Sequence, residues 1–237
     1  MIKLFKPVAI LALLGFPIAV IGYRMSLYPF SVAATIITYT VVLSVAVFFL
    51  SMVITFVKRR SNPAMAKAAR TAAYLVMIPI IGMGYLKLTA DNVPPIHNIS
   101  TDVTNPPAFD KIAGIRSEHH NPLNYDAETL ASAQVSAYPN VKTLLTDVPT
   151  QAAFDRALSV AKSLGWEIVN VNAEAGVIEA TQTTMLWGFK DDVVIRVAQQ
   201  GDKTAIDLRS VSRIGISDLG ANAKRIEAFL EKFVATN

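Results

Sequence analysis

The sequence contains no cysteine. Disulfide bonds, thiol nucleophiles and cysteine-based zinc sites are therefore excluded, although an exported domain does not require disulfides. Acidic residues are also missing from the first 90 positions, because all 18 Asp and Glu lie at or after Asp91. Nine of the 22 Lys and Arg precede Asp91, which gives the first part a net charge of +9. The remaining 13 basic and 18 acidic residues give the second part −5. This division predicts two unlike parts. It does not indicate nucleic-acid binding, because the basic excess lies beside apolar runs.

Three apolar runs occupy the first part, at about 7–23, 32–57 and 72–88. A helix that spans a bilayer needs ~20 mostly apolar residues, a length that the second run exceeds and the other two approach. None of the runs contains Asp, Glu or His, whereas transporters and proton pumps usually need ionisable groups inside the membrane. Residues 1–90 are therefore predicted to form three transmembrane helices that act as an anchor rather than a conduit.

The first run has an alternative interpretation as a signal peptide, since Lys3 and Lys6 precede its apolar core. However, no convincing small-x-small cleavage pattern precedes Tyr23, and a second long run follows at once. The transmembrane interpretation is therefore preferred.

The basic residues between the runs predict the orientation. The connection at 58–70 holds five positive charges and no acid, whereas the connection after the first run holds only Arg24. Short connections rich in Lys and Arg stay in the cytoplasm, so 58–70, Lys3 and Lys6 are predicted to be inside. Three crossings then place everything after Leu88 outside, which in a bacterium is the periplasmic side of the inner membrane.

Residues 91–139 are rich in proline and polar residues, and they are predicted to form an extended linker with a short helix at 129–137. All three histidines of the sequence, His97, His119 and His120, lie in this segment. A metal site would need further ligands at suitable spacing, so a surface loop is favoured and neither metal nor cofactor is predicted.

Residues 140–237 are predicted to form an α+β domain. Apolar residues at every third or fourth position after Pro149 indicate a helix that ends at Gly165. Four strands are expected next, at 166–171, 177–183, 192–199 and 204–213, and Ser217 with Asp218 then caps a last helix. This order predicts an antiparallel four-stranded sheet with two helices packed on one face. Because strand side chains alternate, the other face is expected to carry a polar group. Its members are Glu179, Arg196, Asp207, Arg209 and Arg213.

Six short motifs in the second part are distinctive. They are ISTD at 99–102, PPAF at 106–109, GW at 165–166, IEAT at 178–181, GFKDDVVIR at 188–196 and the segment 207–226. Together they resemble the bacterial family known as domain of unknown function 1499 (DUF1499), over roughly residues 96–233. Many members carry a cysteine pair near the domain start, which this chain lacks, so any role of that pair is absent. The resemblance implies a membrane-anchored envelope protein and supplies no established activity.

The polar face has two interpretations. In the first it is a structural network, in which each exposed Arg–carboxylate pair contributes ~0.2–1 kcal/mol. In the second it binds an anionic envelope component, such as a lipid headgroup, together with backbone N–H groups at the start of the last helix. The nearby acids argue against a purely anionic ligand. The predicted ligand-binding residues are Glu179, Arg196, Arg209, Arg213, Ser217, Asp218 and Asn222.

Two further classes of function are open. Asp191 and Asp192 are candidate acid or cation contacts of a periplasmic hydrolase, but adjacent strand residues point to opposite faces, so they converge only in a loop. No Ser-His-Asp order or Gly-rich phosphate loop supports catalysis. Trp187 and Phe189 instead predict an aromatic loop that contacts a partner or the membrane, unless they close the core. The sequence thus favours a binding or assembly module over an enzyme, with the bilayer and an envelope lipid or protein as partners.

Overall fold

The computed structural model describes residues 2–236, with side chains described from Pro7 onward, and it divides into two compact units, 1–89 and 90–237. The first unit is built from three long helices, α1 (Ile2–Arg24), α2 (Phe30–Lys58) and α3 (Pro63–Asp91). Pro7–Arg24, Phe30–Lys58 and Pro63–Asp91 are long and apolar enough to cross a membrane, with mean hydropathies of 1.8, 2.6 and 1.5. The three predicted runs thus correspond to three candidate membrane spans.

Small residues allow the helices of the first unit to pack closely. A Cβ at Gly15 of α1 would overlap the side chain of Thr40 on α2, so glycine is required for this approach. Close contact through small residues is typical of helices that pack inside membranes. Small and branched side chains from all three helices form a buried cluster: Ala9, Ala12, Val47, Ala72 and Val76.

The basic connection between the second and third helices is shorter than the charge pattern indicates. Helix α3 begins at Pro63, and Asn62 Oδ1 accepts a hydrogen bond from the N–H of Met65 at 3.0 Å. Asn is a good capping residue and Pro suits the first helical position. Lys67 and Arg70 therefore lie in α3, and residues 59–62 form the connection.

The second unit is α+β and contains one antiparallel sheet of six strands within the described residues. The strand order is β1–β6–β5–β4–β3, and β2 also pairs with β6. The strands are β1 (Asn98–Ser100), β2 (Leu144–Thr146), β3 (Glu167–Asn172), β4 (Val177–Thr183), β5 (Lys190–Gln200) and β6 (Lys203–Ser212).

The prediction of four strands was wrong in number, because β1 and β2 are additional. Each has only three residues, which is too short to show an alternating pattern. Ile99 of β1 lies opposite Ser210, and Leu145 of β2 lies opposite Ala205, so both strands pair with β6 from far along the chain. The segment 91–139, predicted as an extended linker, contributes β1 to the sheet and also contains two helices.

Four helices belong to the second unit, α4 (Lys111–Ile115), α5 (Ala127–Ala137), α6 (Thr150–Ser163) and α7 (Ala221–Ala235). Phe154 of α6 and Phe229 of α7 are buried in one hydrophobic core with side chains from the sheet. Trp166 stacks on Phe229 with ring centroids 5.5 Å apart. This core holds the sheet in place, and the sheet in turn positions the polar side chains of the candidate site.

Candidate functional site

The sheet separates the predicted polar residues into two sets. Asp191 forms an ion pair with Arg225 of α7, whereas the neighbouring Asp192 pairs with Arg213 and lies near Arg116. The two carboxylates point to opposite faces of β5, as adjacent strand residues do. They therefore do not converge on a shared proton or cation. In the described part of the chain, no group of three or more His, Asp or Glu is arranged to hold a metal ion.

A buried hydrogen-bond network connects the sheet to the start of α7. Asn222 is fully buried; its Oδ1 accepts from Ser210 Oγ at 2.6 Å, and its Nδ2 donates to Ser212 Oγ at 3.0 Å. Asp218 accepts from the N–H groups of Gly220 and Asn222 at 2.8 and 2.7 Å, while burial raises its pKa. Ser217 Oγ accepts from the N–H of Leu219. Asp218 thus accepts from N–H groups at the start of α7, Ser217 bonds to the turn before it, and Asn222 joins the helix to β6.

Glu179 occupies the start of α4 on the opposite face of the sheet. Its side chain is fully buried, and it accepts hydrogen bonds from the N–H groups of Asp110, Lys111 and Ile112 at 2.8, 2.8 and 3.3 Å. Asn170 Nδ2 adds a fourth at 2.9 Å. A carboxylate at a helix N-terminus satisfies N–H groups that have no partner within the helix. Glu179 therefore attaches the segment around α4 to the sheet.

Arg209 is buried under the same part of the chain, residues 98–125, which is named here the covering segment. Its exposed fraction is 5%, and all three guanidinium nitrogens donate to protein acceptors: Asn98 Oδ1, Pro107 O and Leu123 O. Burial lowers its pKa to about 10, which leaves it protonated at neutral pH. Two aromatic rings lie 5.5 and 5.8 Å from its guanidinium carbon, those of Phe109 and Tyr125. The contacts hold the covering segment in place.

Asp192 is shared by two arginines. Arg213 donates to both of its carboxylate oxygens, at 2.9 and 2.8 Å, and Arg116 Nε lies 3.5 Å away. Thr181 Oγ1 donates to Asp192 at 2.8 Å. Burial and the charges of Arg213 and Arg116 lower the pKa of the nearby His120 below its ordinary value. The Asp192 carboxylate is thus fully enclosed. Among the described residues, the Nε and Nη1 atoms of the buried Arg116 guanidinium have no hydrogen-bond partner.

Arg196 is the most exposed of the three predicted arginines, with 24% of its side chain accessible. It donates to Asp207 at 2.7 Å, to Asp102 at 3.0 Å and to the carbonyl of Asn105 at 3.0 Å. These residues form part of the wall of an open cavity of about 540 Å³. The rest of the wall consists of Thr143, Leu145, Ala198, Gln199, Gln200 and Ala205. With one arginine and two aspartates, the wall has a net charge of −1.

Trp187 and Phe189 lie in the connection between β4 and β5, and their rings stack with centroids 5.5 Å apart. Thr184 fixes this connection: its N–H donates to Phe189 O at 2.8 Å, and its Oγ1 accepts from Phe189 N–H at 2.9 Å. In the same connection Met185 is 93% exposed and Leu186 is 56% exposed. The aromatic pair predicted from the sequence thus belongs to a larger apolar loop.

Three charged side chains of these networks are missing from the sequence-based set: Asp102, Arg116 and Arg225. Asp102 and Arg116 lie in the segment predicted as a linker, where no periodicity indicates which side chains face the sheet. Arg225 follows Asn222 by three residues on α7, and this helical spacing was the signal that places both on one face.

Comparison with known proteins identifies the family. A search of curated proteins gave no match. A family model described as "Protein of unknown function (DUF1499)" matches residues 98–233, which is more than half of the chain. The match begins at the first residue of β1 and ends within α7, so it includes the covering segment as well as the four longer strands, β3–β6. The chain therefore belongs to the DUF1499 family of proteins of unknown function.

Proposed function

We propose that this is a protein of the bacterial inner membrane whose 90–237 unit lies in the periplasm and binds a polar component of the envelope. The anchor is supplied by the three apolar helices, and the positive connection between the second and third supports a cytoplasmic location for that connection. In this arrangement α6 and α7 cover one face of the sheet, and the cavity beside Arg196 opens on the other. That cavity is the observation on which the proposal rests.

The lining of the cavity favours a ligand with hydroxyl and amide groups. Arg196 and Gln200 supply hydrogen-bond donors, while Asp102, Asp207 and Gln200 supply acceptors. The amide of Gln199 is already bonded to Thr150 and Gly201. The net charge of −1 disfavours the multiply anionic ligand that the three arginines suggested. Arg209 and Arg213 do not line the cavity. Arg209 donates to protein groups from all three guanidinium nitrogens, and Arg213 donates from Nε and Nη2. We therefore assign them a structural role, and we propose no catalysis by Asp191 and Asp192.

Native mass spectrometry of the full-length protein in lipid nanodiscs tests this proposal. Ala198 is exposed and lines the cavity, so Ala198→Trp fills it without removing a hydrogen-bonding side chain. We expect a retained mass in the wild type that the Ala198→Trp variant lacks. Ala228→Trp, the same change at an exposed position of α7, serves as the matched control and should keep that mass. Bare protein in all three samples, or an equal extra mass in all three, would refute the cavity as the binding site.

A further inference from the structure

We infer that one end of the second unit inserts into the headgroup region of the lipid bilayer. The surface concerned, named here the apolar tip, consists of Met185, Leu186, Trp187 and Phe189 together with Ile216. This inference is independent of the cavity and needs only that the chain is membrane-anchored.

The apolar tip combines three exposed apolar side chains with the half-buried, stacked rings of Trp187 and Phe189. Met185, Leu186 and Ile216 are 93%, 56% and 80% exposed. Arg213 N–H donates to Lys190 O at 3.0 Å, which joins the base of the 184–189 connection to the segment that carries Ile216. Single exposed apolar residues are ordinary, whereas a group of them marks a contact surface.

The loop that carries most of the tip is held in one conformation. Gly188 has φ of +71°, and its N–H donates to Thr184 O at 2.9 Å. Two further bonds join Thr184 to Phe189 at 2.8 and 2.9 Å. Because glycine adopts positive φ at little cost, the turn is formed without strain. The backbone of this loop therefore loses little conformational entropy when the tip docks.

Chain length indicates which partner lies within reach. Six residues, 92–97, separate the end of α3 from the start of β1, and they span at most about 20 Å. His97 Nδ1 lies 3.3 Å from Ile216 O, and Asp218 N–H donates to Ile96 O at 3.3 Å. Ile216 of the tip thus lies beside the residues through which the chain enters the rest of the second unit. A bilayer crossed by α3 is within reach of this end by chain length alone.

The composition of the tip also fits a lipid surface. Tryptophan favours the boundary between headgroups and acyl chains, where its ring contacts both. Methionine, leucine and isoleucine gain from leaving water for the acyl region. Lys190 follows the loop and is exposed, which places a positive charge where lipid phosphates would lie.

The absence of cysteine makes the test direct, since one introduced cysteine carries the only thiol label. Met185→Cys and Ile216→Cys are each labelled with a fluorophore in full-length protein in nanodiscs whose phosphatidylcholine carries a shallow nitroxide quencher. Asp202→Cys, in the exposed turn after β5, is the control, because it lies about 33 Å along that strand from Lys190. We expect quenching at both tip positions to be at least twofold stronger than at Asp202→Cys.

A second substitution tests whether the tip itself contacts the lipids or only lies near the bilayer. Leu186→Glu, combined with Ile216→Cys, should reduce the quenching of the label severalfold. Val171→Glu, an apolar-to-acid change at a 46% exposed position of β3, should not. Equal quenching at the tip and at Asp202→Cys would overturn the inference. So would a tip label that is shielded from water yet unquenched by the lipids, since that result indicates a protein contact or a second copy of the chain.

Discussion

Arg209 and Arg196 lie on the same face of the sheet, yet their surroundings differ. Arg209 is 5% exposed and donates to one amide and two carbonyl oxygens. The Arg196 side chain is 24% exposed and forms ion pairs with Asp102 and Asp207. A buried acceptor that loses its donor costs more than a partly solvated ion pair that is broken. The two arginines therefore differ in what their removal does to the fold.

We expect Arg209→Ala to lower the free energy of unfolding of the second unit by about 3–5 kcal/mol, because it leaves three acceptors buried without a donor. Arg196→Ala should cost roughly 1–2 kcal/mol, since water replaces part of what is lost. The measurement is chemical denaturation of the full chain, followed by the fluorescence of the buried Trp166 in a Trp187→Phe background. Equal losses for the two variants would contradict the assignment of Arg209 to a structural role.

Short elements of this domain depend on contacts from distant parts of the chain. Helix α4 has five residues, too few for a stable isolated helix, and β1 has three. Glu179 on β4 binds the first N–H groups of α4, and Arg209 on β6 binds Asn98 of β1. The covering segment is thus ordered by side chains of the sheet that it covers.

We expect Glu179→Gln to release the covering segment from the sheet. An amide side chain keeps one acceptor oxygen and directs a donor at backbone N–H groups, so the loss should be about 2–3 kcal/mol. Hydrogen exchange should speed up in residues 101–121 before it changes in β5. Glu167→Gln, the same change at an exposed position of β3, is the control and should leave exchange unaltered. Unchanged protection in the Glu179 variant would show that the segment is held by other contacts.

The whole molecule combines an apolar, basic first part with an acidic second part. All five positive charges near the second connection lie between Lys58 and Arg70, and no acid precedes Asp91. Such an asymmetry orients membrane proteins during insertion, because connections rich in Lys and Arg resist translocation. With three candidate spans, this asymmetry favours the proposed orientation, in which the basic connection is cytoplasmic and the second unit is periplasmic.

We expect alkaline phosphatase fused to the C-terminal end of the chain to be active and green fluorescent protein at the same place to be dark. The opposite result is expected for fusions in the connection at Asn62, which serves as the internal control. Enzyme activity and fluorescence of intact bacterial cells are the measurements. A fluorescent C-terminal fusion would mean that the second unit is cytoplasmic, and it would remove the periplasmic part of the proposed function.

The sequence determined the three candidate spans, the four longer strands β3–β6, and α6 and α7, because each has a long apolar run or a clear period of its own. It also indicated that Asp191 and Asp192 would converge only in a loop, since alternation along a strand is a local property. Only the tertiary structure decided that β1 and β2 join the sheet and that Arg209 and Glu179 are covered. These outcomes depend on pairing between residues about 60 to 110 positions apart, and a short segment carries no local pattern that specifies such a partner.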